Sequence, residues 1–187
     1  MKRRLTQALG GALVFATFGC AWGAYGTHSL GRTDEPWLLG IPMVVTLVLI
    51  VTLMKLQRRV EALPSDPANP EAEQREARGR RIFGAVNLAL VVAVVLAVRY
   101  WSGTPTPECV APTVAFLVGL HFVALARPME TPTHWIVGGL MVLFAFGAVM
   151  TAPRQSWAAV IGLGNAAILW GCYTLRIRFV SHAVREA

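Results

Sequence analysis

Six stretches of this 187-residue chain carry almost no charge, and they constrain the fold more than any other feature. They cover residues 7–29, 37–54, 82–101, 109–126, 135–152 and 157–173. The hydrocarbon core of a bilayer is about 30 Å thick and takes roughly 17–25 apolar residues per helix. Backbone N–H and C=O groups in lipid must be satisfied internally, which leaves a helix or a closed barrel. The alternation that a barrel strand needs is absent here. A soluble globule is excluded by composition, because 14% of the residues are charged where an ordinary domain has about 25%. The expectation is an all-α polytopic membrane protein, a single domain built as a bundle of six transmembrane helices.

The net charge of +7, from 17 Lys and Arg against 10 acids, then needs a place. Lys2, Arg3 and Arg4 precede the first span, and Lys55, Arg58, Arg59, Arg75, Arg78, Arg80 and Arg81 lie between the second and third. Arg127 follows the fourth span, and Arg176, Arg178 and Arg185 follow the sixth. With alternating spans, these fourteen fall on one side and only Arg32, Arg99 and Arg154 on the other. By the positive-inside rule, both termini and the loop 57–81 are expected in the cytoplasm. The basic excess thus reports orientation and attraction to acidic headgroups, and no nucleic-acid partner is required. Trp37, Tyr100, Trp101 and Trp157 fall at outer ends and Trp135 and Tyr173 at inner ends, where an amphipathic ring prefers to sit.

Two segments imitate something else. Met-Lys-Arg-Arg followed by an apolar run and Thr17-Phe18-Gly19-Cys20 has the outline of a lipoprotein signal. Thr17 and Phe18 suit a cleavage site poorly, and the apolar run continues past Cys20, so a retained first helix is expected. In the loop 57–81, Pro64, Pro67 and Pro70 keep the first half extended. Asn69 then suits an N-cap and Pro70 a first helical position, and the pairs Glu71–Arg75 and Glu76–Arg80 support a charged helix running into the third span.

Chemistry-bearing residues are few. Cys20, Cys109 and Cys172 sit at three different depths with no Cys-x-x-Cys spacing, so no disulfide or metal site is expected from them. Polar groups at membrane depth are costly and are candidates for function. His121 is five residues from the inner end of the fourth span, and Asn87 is at a matching depth on the third. His134 opens the fifth on the same side, and Asn165 lies midway along the sixth. Asn87, His121, His134 and Asn165 are therefore the candidate ligand-binding residues, with helix–helix hydrogen bonding as the structural reading of each. No carboxylate is embedded in a span, which argues against ion-coupled transport. The Ser-His-Asp, His-Glu-x-x-His and phosphate-loop patterns are missing, so catalysis is not expected.

Small residues mark packing faces: Gly19 with Gly23 on the first helix, and Gly162 with Ala166 on the sixth, where Ala167 and Gly171 form another pair. Such spacing lets helix backbones approach, within a chain or between copies. Besides the lipid bilayer, a homo-oligomer or another membrane protein is thus a candidate partner.

The segments Arg81-Ile-Phe-Gly-Ala-Val-Asn87, Gly119-Leu-His-Phe-Val-Ala-Leu-Ala-Arg127 and 162–175 resemble a family of small uncharacterised bacterial multi-pass inner-membrane proteins. Members of that family carry Gly-Leu-His-Phe followed by Leu-Ala, and a Gly-rich last helix with Leu-Trp. This chain has Ala124 where members often have proline, which straightens the fourth helix after His121. The resemblance implies a bacterial inner membrane and supplies no activity or cofactor. The functional expectation is a small permease-like or accessory membrane protein without a cofactor, its ligand site in the inner leaflet; the alternative is a haem- or metal-binding redox protein.

Overall fold

The computed structural model describes residues 1–31, 35–67, 70–127 and 132–186, leaving aside the side chains of 36, 71–73, 75, 76 and 132. Among the described residues six α-helices follow in order: α1 (Lys2–His28), α2 (Gly40–Glu61), α3 (Pro70–Ser102), α4 (Val110–Ala126), α5 (Pro132–Thr151) and α6 (Trp157–Arg185). There is no strand among the described residues. All six helices are long and apolar enough to cross a bilayer.

Helix ends follow local chemistry. α1 stops where Gly31, at φ +69°, turns the chain with its N–H donated to the His28 carbonyl at 3.3 Å. A short 3₁₀ turn precedes each of α2, α4 and α6, over Pro36–Leu39, Pro107–Cys109 and Arg154–Ser156. Proline opens the first two turns and stands at the N-cap of the third, because its fixed φ suits the start of a helix and its missing N–H costs nothing there. Trp157 is fixed beside the third turn by its Nε1–H donated to the Ala152 carbonyl at 3.0 Å.

α3 is continuous from Pro70, so the charged helix expected in the loop runs into the third apolar stretch as one 33-residue helix. The Asn69 cap lies outside the described residues, as do the Glu71–Arg75 and Glu76–Arg80 side-chain pairs. The sixth helix differs from the sequence expectation. α6 does not end at Tyr173 but continues to Arg185. Beyond that point Arg176, Ile177 and Val180 are buried at helical spacing, so tertiary contact carries the helix twelve residues past the apolar run.

The chain divides into two compact units, Met1–Ala68 with Ala166–Ala187, and Asn69–Asn165. Neither corresponds to the first or last three helices. In the first unit α1 buries Leu5, Leu9, Ala12, Ala16, Gly19, Gly23 and Gly26, a strict alternation of four and three residues that makes one seam. The seam tapers from leucine to glycine. At its small end Pro42 of α2 lies 3.0 Å from where a Gly23 Cβ would be, and the Trp170 indole fills the space of a Gly19 Cβ. Thr46 donates to the Ala16 carbonyl at 3.4 Å, and the Tyr173 hydroxyl donates to the Leu49 carbonyl. These contacts set α2 antiparallel to α1 and α6 antiparallel to α1.

The far end of that unit is tied by exchanged caps. Lys2 Nζ donates to the Glu61 and Leu63 carbonyls at 2.6 and 2.9 Å, meeting acceptors left open at the end of α2. Asp66 accepts from the Arg3 N–H at 2.8 Å and pairs with the Met1 ammonium, placing an acid at the start of α1.

In the second unit α4 and α5 cross antiparallel with their backbones in contact. A Cβ on Gly138 would stand 2.5 Å from the Gly119 carbonyl oxygen, and one on Gly119 would stand 2.9 Å from that of Gly138. Ala111, Ala115, Val118 and Phe122 on α4 and Val137, Met141 and Ala145 on α5 fill the seam to either side. Phe144 of α5 packs into the gap above Gly164 at the start of α6. Elsewhere large apolar side chains face outward, among them Val44, Leu47, Val48 and Val51 on α2 and Leu88, Val92, Val95 and Leu96 on α3, as a lipid-facing surface requires.

Candidate functional site

Close approach of α4 and α5 at Gly119 and Gly138 decides what the neighbouring turns can hold. One turn further along, Phe122 of α4 projects between the helices, and its ring lies 5.8 Å from both the His121 and the His134 ring centroids. The two histidines expected at the inner side therefore share one aromatic neighbour. His134 is buried at 7% exposure and engaged in an interaction of its own.

His121 is half-buried and turned toward the backbone carbonyl of Val86 on α3. Its Nδ1 is sealed from solvent and finds no hydrogen-bond partner among the described residues. An imidazole nitrogen in apolar surroundings without a partner carries a desolvation cost of about 1–3 kcal/mol. Asn87 follows Val86 directly, so it stands at the depth of His121 as its position in the third span implies. Its amide, however, donates to the Phe83 carbonyl of its own helix at 2.7 Å, the back-bond that a polar side chain makes in an apolar setting.

Asn165 is set apart from this group. Gly164 beside it packs on Phe144, ten residues along α5 from His134 and thus about 15 Å away along the helix. Asn165 is fully buried, and neither its Nδ2 nor its Oδ1 has a partner among the described residues. His121 and His134 are brought together, Asn87 is level with them, and Asn165 lies elsewhere. Among the described residues no group of three or more His, Cys, Asp or Glu is placed to hold a metal ion.

The packing glycines also sort themselves. Gly19 and Gly23 receive Trp170 and Pro42, and Gly162 and Ala166 are buried. Ala167 and Gly171 are exposed instead, and a Cβ on Gly171 would touch nothing within 4 Å.

One residue has a role that the charge pattern hid. Arg176, counted among the cations flanking the sixth span, is buried at 7% exposure inside the first unit. Its guanidinium carbon lies 4.8 Å from the Phe15 ring centroid, and Nη1 takes the space of a Gly11 Cβ. The signal was present in the apolar residues Ile177, Phe179 and Val180 that continue past it.

Comparison with family models, curated proteins and solved structures finds no match to this chain.

Proposed function

We propose that this chain is a small permease-like or accessory protein of the bacterial inner membrane, non-catalytic, with both termini in the cytoplasm. Its ligand contact is His121, with Phe122 and His134 forming the adjoining wall. The observation that carries this reading is the buried, unpartnered Nδ1 of His121 at membrane depth. A neutral imidazole there accepts one hydrogen bond, so the ligand class is a small molecule with an N–H or O–H group and an apolar body that suits Phe122. The placement of fourteen of 17 cations on one side of alternating spans supports the orientation.

The test is a thermal-stability screen of the detergent-purified protein against small alcohols, amides and amines. A compound that raises the melting temperature of the unmodified chain leaves that of His121→Ala unchanged; equal stabilisation of both rejects His121 as the contact. A visible absorption spectrum of the same preparation tests the haem alternative, which requires a Soret band.

A further inference from the structure

We propose that α3 is the interface between two copies of this chain, paired as parallel helices in one bilayer along a seam of Gly84, Asn87, Val91, Val94, Val98 and Trp101. The pairing needs α3 to span a bilayer and does not depend on His121 as a ligand contact.

Three observations carry it. The first is spacing. These six residues recur at alternating intervals of three and four, the period of about 3.5 residues at which two helices wrap around each other with a left-handed twist. α3 meets α4 through a different stripe, in which the Val86 carbonyl faces His121. Asn87, one residue on, is turned about 100° from it. Gly84, Val91 and Val98 are exposed, and Asn87, Val94 and Trp101 are partly so.

The second is the Asn87 amide. It stands five residues past Ile82, about 7 Å along the helix and inside the apolar stretch. One Nδ2 N–H goes to the Phe83 carbonyl at 2.7 Å, while the other N–H and Oδ1 have no partner among the described residues. Lipid chains can satisfy neither group. A second Asn87 satisfies both, because the free acceptor and the free donor make the side chain complementary to itself across a two-fold axis. Two copies inserted the same way present parallel α3 helices with their Asn87 residues at one depth, which singles out a second copy over lipid or an unrelated helix. A lone polar residue in an otherwise apolar seam also fixes its register.

The third is space. Gly84 lies one turn before the amide, and a Cβ there would meet nothing within 4 Å, so nothing in this chain fills the place where a second backbone comes close. Val91, on the other side of the amide, is 58% exposed, and valine loses little side-chain freedom on packing.

Self-association of the detergent-purified chain is measured by analytical ultracentrifugation over a range of detergent-to-protein ratios. We expect a monomer–dimer equilibrium. Asn87→Val weakens it about three- to thirty-fold, the range for one interhelical hydrogen-bonding side chain in a membrane. Gly84→Ile weakens it at least as much, and Leu96→Ala, exposed on the opposite side of α3, leaves it unchanged. Asn87 bonds only within its own helix and Gly84 faces open space, so both seam variants keep the monomer fold, which their melting temperatures check. In vesicles, with Cys20→Ala, Cys109→Ala and Cys172→Ala in place, Val91→Cys copies cross-link on oxidation and Leu96→Cys copies do not. A chain that stays monomeric at every ratio overturns the proposal. So does a dimer that neither Asn87→Val nor Gly84→Ile weakens, which assigns the association to another face.

Discussion

Polar groups within the apolar helices differ in their partners. Asn87 meets its own helix, Tyr173 meets the Leu49 carbonyl, and the Asn165 amide meets no partner among the described residues. An unmet buried amide costs about 1–3 kcal/mol, and leucine has nearly the same volume. Asn165→Leu is therefore expected to raise the melting temperature; a fall shows the amide to be bonded in the folded protein and assigns it a ligand or water. At the basic end the Met1 ammonium, and after it the Arg3 N–H, hold the Asp66 carboxyl below its ordinary value. The folded-state value is thus lower than the unfolded one, so its contribution is present above the ordinary value near 3.9 and is lost as pH falls from there through the folded one. Asp66→Asn removes that part of the acid response, which parallel melting curves from pH 6 to pH 2 measure.

Helix contacts at the scale of an element are governed by where a side chain is missing. Gly138 faces the Gly119 carbonyl oxygen, a backbone atom that cannot turn aside, so an added methyl pushes α4 and α5 apart. Gly138→Ala is expected to destabilise by about 1–3 kcal/mol, the range for overpacking. Gly139→Ala is the control, since a Cβ there meets nothing within 4 Å; denaturant or thermal unfolding of both variants checks the difference. Glycine at 119 is legible as part of Gly-Leu-His-Phe, but its pairing with Gly138 depends on the register of two helices and has no signature in either one alone. The same holds for Gly11, which is indistinguishable from Gly10 in sequence and differs only in facing Arg176.

At the scale of the molecule the alternating spans make a topology that can be tested directly. Ser65→Cys, in the segment after α2, is expected to react with a membrane-impermeant thiol reagent only from the cytoplasmic face. Cys109, in the turn before α4, is expected to react only from the opposite face. Labelling of Cys109 from inside or of position 65 from outside reverses the orientation. The number and position of the apolar helices follow from the sequence because lipid acts on each segment independently: length and charge alone decide whether it spans.

What the sequence determined by itself was therefore the helical class and the six apolar stretches that become helices long enough to cross a bilayer. Tertiary structure decided the rest: that Phe122 joins His121 to His134, that Asn165 lies apart, and that α6 runs on to Arg185 with Arg176 inside. The physical reason is that partition into lipid is a sum over one segment, whereas pairing is a property of two. The apolar Ile177 and Val180 indicate that α6 runs on past the charged residues, but only Gly11 and Phe15 of α1, placed against it, single out Arg176 as the buried arginine.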